Sequence, residues 1–161
     1  MGTEREREAG ARVTDIIGYL RIDDTLATSG QPTDEELAAA AREGAEVVIN
    51  LALHDDPRYS LADEAGAVAA LGMTYVHIPV KFDAPTEADL DAFFAAMAEH
   101  RGRRMLVHCA ANKRATAFLG LYRVIVEKWD PERAFAPMKE IWEPNAAWAP
   151  FIETMLAKRT P

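Results

Sequence analysis

The sequence predicts an α/β fold with a short, mostly parallel central sheet flanked by helices. Short runs rich in β-branched residues alternate with alanine-rich or amphipathic stretches, and capping residues precede several of those stretches. Strands that alternate with helices favour βαβ units, whose parallel sheet is covered on both faces. The chain has 161 residues, enough for one domain, so we expect a flexible tail over 1–12 and a single domain over 13–161.

The expected strands are short. A small N-terminal β-hairpin is predicted where Asp23 and Asp24 separate two apolar runs, at 19–22 and 25–28. Brief apolar runs bounded by polar residues are typical of strands buried on both faces. On this basis three further strands are predicted, at 46–50, 73–80 and 104–108.

The expected helices begin at capping residues. Thr33–Glu36 has the pattern of a capping box, and Gly44 ends the helix that follows. A helix that begins at Pro131 must be kinked or shortened at Pro137, because proline donates no backbone hydrogen bond. The remaining helices are expected over 60–71, from Thr86 to about His100, over 114–128 and from Asn145 to about Lys158.

The net charge argues against two classes of partner. Lys and Arg number 18 and Asp and Glu number 26, giving a net charge of −8. An acidic chain does not bind nucleic acid or anionic membranes non-specifically, so neither is an expected partner. The charged first ten residues predict no secretory signal, and no apolar run reaches the ~20 residues of a membrane span. We therefore expect a cytoplasmic location, and the oligomeric state is left open.

Two groups of residues are expected to be structural. The three tryptophans, Trp129, Trp142 and Trp148, fall in the C-terminal helices and are predicted to pack in the core. The acidic residues in the first turns of the helices are predicted to cap those helices and to favour solubility.

The single cysteine, Cys109, is the first candidate for chemistry. One cysteine forms no intrachain disulfide, and with four scattered histidines it predicts neither a metal site nor a cofactor. Cys109 falls between a predicted strand and the start of the next helix. At such a position the helix dipole stabilises a thiolate, and backbone amides point at a bound anion.

The residues after Cys109 have the character of an anion-binding loop. Small side chains let the backbone curl, Asn112 tolerates a left-handed conformation, and the cations Lys113 and Arg114 attract oxyanions. The predicted phosphate-binding residues are Ala110, Ala111, Asn112, Lys113, Arg114 and Ala115. Carboxylates follow two other strands, as Asp55 and Asp56 after the first and Asp83 after the second, and sites in open α/β sheets form at this edge.

The segment from His108 to Thr116 resembles the phosphate-binding signature of the protein tyrosine phosphatase superfamily. That signature reads His-Cys, five residues, Arg, and then Ser or Thr. Segments at 28–33, 50–53, 77–80 and 141–145 are similar to the bacterial dual-specificity-like branch. The resemblance covers about residues 15–155 and implies a dual-specificity phosphatase-like fold.

The resemblance also implies roles for individual residues. Cys109 matches the nucleophile that forms a cysteinyl-phosphate, His108 the residue that helps hold the thiolate, and Thr116 the hydroxyl that assists the leaving thiolate. Asp83 is the implied general acid, with Asp55 and Asp56 as weaker candidates. The implied partner is a phosphate-bearing substrate, either a phosphoprotein or a small phosphate ester.

The loop departs from the family signature at its arginine. The position six residues after the cysteine holds Ala115, and Arg114 lies one residue earlier. In the usual loop register the phosphate clamp is missing and activity is weakened, whereas a loop shorter by one residue lets Arg114 reach the anion from another direction.

This departure leaves two alternatives to a phosphatase. Cysteine, four residues and arginine is the loop spacing of rhodanese-like sulfurtransferases, which would carry a persulfide on Cys109. The other alternative is a pseudophosphatase that binds phosphate or a phosphoprotein without turnover.

Overall fold

The computed structural model describes residues 10–58 and 60–161. Its centre is a five-stranded sheet with the strand order β1-β2-β5-β3-β4. The strands are β1 Leu20–Asp23, β2 Leu26–Ser29, β3 Val47–Asn50, β4 Thr74–His77 and β5 Met105–His108. β1 pairs with β2 as the predicted antiparallel hairpin, and the other three pairings are parallel. The predicted fold class is confirmed.

Seven helices surround the sheet in the described part of the chain. They are α1 Asp34–Arg42, α2 Glu64–Ala70, α3 Glu87–Glu99, α4 Lys113–Ile125, α5 Pro131–Ala134, α6 Ala136–Ile141 and α7 Trp148–Arg159. A short 3-10 turn, Val13–Asp15, precedes β1. Of the predicted tail over 1–12, residues 1–9 lie outside the described residues, and the prediction of one domain over 13–161 stays a prediction.

The sheet buries both faces because its central strands alternate their side chains. In β3, Val47 and Ile49 join the larger core, which helices α3, α4 and α7 cover. Val48 points to the opposite face, where α1 and α2 pack. All four residues of β3 and of β5 are buried, as expected of parallel strands covered on two sides.

Several predicted boundaries were too long. The helix expected over 60–71 begins only at Glu64, because Asp63 caps it by accepting a hydrogen bond from the Gly66 amide at 3.0 Å. The strand expected over 73–80 ends at His77, two residues before Pro79, which has no amide to donate. The helix expected over 114–128 is α4, which ends at Ile125, and Lys128 adopts a left-handed backbone with φ of 64°.

Two other helix predictions are confirmed in detail. Thr33 and Glu36 form the reciprocal capping box that opens α1. Pro137 interrupts the helix that starts at Pro131, which divides into α5 and α6.

The carboxyl ends of four strands meet at one edge of the sheet. His108, the last residue of β5, lies level with Ser29 of β2 on one side and with Asn50 of β3 on the other. Asn50 in turn is level with His77 of β4. The segments that follow these strands therefore converge above the centre of the sheet, and Cys109 follows the central strand.

Candidate active site

Cys109 lies at the floor of a cleft above the central strand. Its amide donates a hydrogen bond to the carbonyl of Ser29 at 3.2 Å, which continues the β2–β5 pairing by one residue. Its side chain is fully buried from bulk solvent. The walls of the cleft are Phe82, Ala110, Ala111, Lys113 and Arg114. The thiol is therefore within reach only of a group that enters this cleft.

Asn112 shapes the loop that follows the cysteine. Its backbone is left-handed, with φ of 65°, as its position in the sequence predicted. Its side-chain amide donates to the carbonyl of Gly18 at 2.7 Å and to the hydroxyl of Thr28 at 3.0 Å. Asn112 was predicted to bind phosphate, but its side chain points away from the cleft and holds the loop against the N-terminal hairpin.

A close backbone approach from β2 supports the loop from behind. The amide of Gln31 donates to the carbonyl of Ala110 at 3.0 Å, and Gly30 forms a bridge to Ala111. A Cβ atom at Gly30 would lie 2.5 Å from the Ala110 carbonyl oxygen, so only glycine fits here.

The loop leaves backbone amides free. Within the described residues, five N–H groups donate no hydrogen bond, namely those of Ala110, Ala111, Lys113, Arg114 and Ala115. They surround the start of α4, where the helix dipole adds positive potential. Free amides of this kind bind the oxygens of an anion such as phosphate.

The structure resolves the register of Arg114 and Ala115. The side chain of Ala115 is fully buried in the apolar core, so it takes no part in the cleft. Arg114 lies along the cleft wall with 8% of its surface exposed. Its Nη1 donates to the Val80 carbonyl at 2.7 Å, and its guanidinium faces the Phe82 ring at 5.7 Å. Arg114 therefore occupies the cleft although it is one residue early.

The charge of Arg114 has no acidic partner within the described residues. Its Nε is buried and has no hydrogen-bond partner there. A buried guanidinium without a counterion is costly unless a ligand completes it. The arrangement is suited to bind an oxyanion in the cleft.

His108 is held by a buried carboxylate that sequence analysis did not single out. Its Nε2 donates to Oε2 of Glu64 at 2.5 Å, and both side chains are fully buried. Gln31 donates to the other oxygen of Glu64 at 2.7 Å. Burial by itself raises the pKa of the Glu64 carboxyl, but the hydrogen bond and charge of His108 outweigh burial and lower it.

Glu64 was among the acidic residues expected only to cap helices. Its position at the start of the otherwise small and apolar segment Glu64–Ala70 was the available signal for a buried carboxylate.

Thr116 lies on the buried side of α4. Its hydroxyl donates to the carbonyl of Asn112 at 2.7 Å and contacts that of Lys113 at 3.2 Å. These bonds keep the hydroxyl on the backbone of the first helical turn. A hydrogen bond from Thr116 to the sulfur of Cys109 is not found among the described residues.

The three candidate acids line a single depression that adjoins the cysteine cleft. Asp55, Asp56 and Asp83 border it together with Ala110 and Arg114. Hydrogen bonds from the side chain and the backbone amide of Arg58 lower the pKa of Asp56, whose Oδ2 lies 2.8 Å from the Arg58 guanidinium. A carboxyl that ionises so readily is a poor proton donor, so Asp83 and Asp55 are the better candidates.

Aromatic residues hold the segment that carries Asp83. The indole of Trp148 donates to the carbonyl of Phe82 at 2.6 Å, and Trp148 is fully buried, as predicted. The Lys113 ammonium lies 5.8 Å from the Phe82 ring centre and 5.7 Å from that of Trp142. Trp142 is thus part of the surroundings of the site as well as of the core.

Clusters suited to a metal ion are not found among the described residues, and no helix described there is long and apolar enough to cross a membrane.

The fold and the loop together define a protein of the dual-specificity phosphatase-like class. The chain belongs to the family described as DSP-PTPase phosphatase fused to NAD+ kinase, whose model matches residues 19–146. The resemblance read from the loop sequence is therefore confirmed.

Solved structures agree with this assignment. The chain is similar to a putative phosphatase (DUF442) from Shewanella putrefaciens CN-32, with 32% identity, a TM-score of 0.81, and coverage of 91% of this chain and 96% of that chain. It is also similar in fold to P. aeruginosa TpbA in complex with pTyr, with 21% identity, a TM-score of 0.62, and coverage of 81% and 75%. The second likeness concerns the fold alone.

A longer curated relative shares part of the chain. The beta-lactamase hydrolase-like protein of Xylella fastidiosa (strain Temecula1 / ATCC 700964) is 37% identical over 106 residues, which are 65% of this chain. The matched part is 24% of that protein, so this chain corresponds to a minor part of its length.

Proposed function

We propose that this chain hydrolyses phosphomonoesters through a cysteinyl-phosphate on Cys109. The observation that carries the proposal is the convergence of three features on one cleft: the buried thiol, the free amides at the start of α4, and the guanidinium of Arg114. Each is suited to a dianionic phosphate, and a carboxylate lies in the adjoining depression.

The first half-reaction transfers the phosphoryl group. The Cys109 thiolate attacks phosphorus, the S–P bond forms, and the bond from phosphorus to the ester oxygen breaks. Asp83 donates a proton to that oxygen, so the product leaves as an alcohol or phenol. The free amides and Arg114 bind the equatorial oxygens, whose charge must be stabilised in the transition state.

The second half-reaction releases phosphate. Water attacks phosphorus, its proton passes to the Asp83 carboxylate, and the S–P bond breaks to regenerate the thiolate. His108 and the dipole of α4 stabilise that thiolate. The hydroxyl of Thr116 takes part only after it leaves the carbonyl of Asn112.

The displaced arginine is compatible with turnover in this mechanism. Nη1 is held by the Val80 carbonyl, so Arg114 approaches the anion from the side of Phe82 and offers its remaining donors. A clamp with fewer donors than the family's bidentate arginine is expected to give weaker activity. We propose a phosphate-bearing substrate, as pTyr is for TpbA, and leave its identity as phosphoprotein or small ester open.

Cys109→Ser tests the proposal. The wild-type chain is expected to release phosphate from an aryl phosphate, and the variant to lose at least about 10³-fold in kcat, because a serine hydroxyl is not ionised at neutral pH. A discontinuous phosphate assay measures both. Lys139→Ala, on a helix outside the cleft, is the control for handling.

Two further assays separate the alternatives. Thiocyanate formed from thiosulfate and cyanide, without phosphate release, would replace the proposal with sulfur transfer. Inactivity in both assays, with inorganic phosphate protecting Cys109 from alkylation, would replace it with a pseudophosphatase. The family is one of phosphatases, which favours phosphoryl transfer.

A further inference from the structure

The buried ion pair behind the nucleophile has a function beyond packing. We infer that Glu64 is a positioning residue that keeps His108 doubly protonated, so that a fixed positive charge supports the thiolate of Cys109. The inference rests on the proposed function in so far as the thiolate is the nucleophile, but it concerns the state of the thiol and is measurable without any substrate.

The hydrogen bonds of His108 define its protonation. Nε2 lies 2.5 Å from the Glu64 carboxylate, and Nδ1 lies 3.3 Å from the carbonyl oxygen of Cys109. Both partners are acceptors, so both ring nitrogens must carry hydrogen for both bonds to form. Only the imidazolium has two N–H donors.

The state of Glu64 agrees with this assignment. Its carboxylate accepts from His108 and from Gln31, and its side chain has no exposed surface. The lowered pKa of Glu64 means that it is ionised at neutral pH despite its burial. A buried carboxylate needs a cation beside it, and His108 is the cation in contact with it.

The geometry directs the charge of His108 towards the nucleophile. His108 precedes Cys109 in the chain, and its Nδ1 bonds to the backbone of that cysteine. Glu64 lies on the far side of the ring, at Nε2, so the positive end of the pair is the nearer to the cysteine. A nearby cation favours the ionised thiol.

Other charged groups face the same region and must be considered. They are His54 after β3, Tyr75 on β4, Asp55, Asp56 and Asp83 at the depression, and Lys113 and Arg114 on α4. Burial, together with the charge of Glu64, raises the pKa of Tyr75 to about 12, so its hydroxyl stays neutral over the range of interest. The other groups are unchanged by a substitution at Glu64.

The test is the pH dependence of Cys109 ionisation in Glu64→Gln. The amide keeps the shape of the side chain and removes its charge. We expect the midpoint for alkylation by iodoacetamide to rise by about one pH unit, because His108 is then no longer obliged to be charged. The thiolate absorbance, taken as a difference from Cys109→Ser protein at each pH, gives the same midpoint without requiring reagent access.

His108→Gln supplies the discriminating background. There, Glu64→Gln is expected not to raise the midpoint, since Glu64 acts through the imidazolium. A purely structural role would lower the unfolding midpoint of Glu64→Gln and leave its thiol midpoint at the wild-type value, which would overturn the inference. An equal rise in both backgrounds would also overturn it.

The design tolerates two kinds of failure. If Glu64→Gln does not fold alone, His108→Gln with and without Glu64→Gln still decides the matter, because the double variant has no unpaired buried charge; a rise caused by Glu64→Gln in that pair contradicts the inference. If the wild-type chain releases no phosphate while the thiol midpoint shifts as expected, the proposed function fails and this inference stands.

Discussion

Replacing Arg114 by alanine is expected to lower kcat/KM for an aryl phosphate by about 10²- to 10³-fold, the usual effect of removing a donor that stabilises transition-state charge. Arg114 is the buried cation of the cleft wall, and its Nε has no partner among the described residues. Arg114→Lys is expected to lose most of the same factor, because an ammonium lacks the planar donors of a guanidinium.

The neighbouring cation provides the matched comparison. Lys113 is half-buried at the rim and lies over the rings of Phe82 and Trp142, so Lys113→Ala is expected to cost much less. Arg123→Lys controls for disturbance of α4, since Arg123 is a buried arginine near the other end of that helix, 3.4 Å from Asp23. Steady-state kinetics and the inhibition constant of inorganic phosphate measure the effects. Equal losses in Arg114→Ala and Lys113→Ala would show that Arg114 does not bind the anion.

Replacing Asp83 by asparagine is the second change with a large expected effect. Loss of a general acid typically costs 10²- to 10⁴-fold, so we expect kcat to fall by about that factor for an alkyl phosphate. The loss is expected to be much smaller for a nitrophenyl phosphate, whose leaving group needs no proton. The general acid works when protonated, so wild-type activity falls as pH rises through its ionisation, and Asp83→Asn is expected to lack this alkaline limb.

Asp55→Asn and Asp56→Asn are the matched controls, since both carboxylates border the same depression. Asp56 is expected to matter least, because its bonds to Arg58 keep it ionised. If the leaving-group dependence and the loss of the alkaline limb appear in Asp55→Asn and not in Asp83→Asn, the assignment of the acid is wrong.

Features that depend on neighbours in the sequence could be predicted from it. The capping box of Thr33, the hairpin at Asp23, and the strand-to-helix position of Cys109 each follow from residues within a few positions. The left-handed backbone of Asn112 belongs to the same class. These local preferences agree with the fold that the chain adopts, which is why they were reliable guides.

Features set by tertiary packing could not be predicted. The helix of Glu64 is capped by Asp63, and only the packing of that helix against the sheet buries the carboxylate beside His108. The direction of Ala115 into the core and of Arg114 into the cleft depends on where α4 begins, at Lys113. A shift of one residue around a helix start turns a side chain by about 100°. The spacing of cysteine and arginine therefore left the register open.

The central claim is that Cys109 carries the phosphoryl group during turnover. A denaturing quench of the wild-type chain during hydrolysis of an aryl phosphate, followed by peptide mass spectrometry, tests it most directly. The claim predicts a transient gain of the mass of one phosphoryl group on the peptide that contains Cys109, absent in Cys109→Ser. Phosphate release without that adduct, or an adduct on another residue, would contradict it.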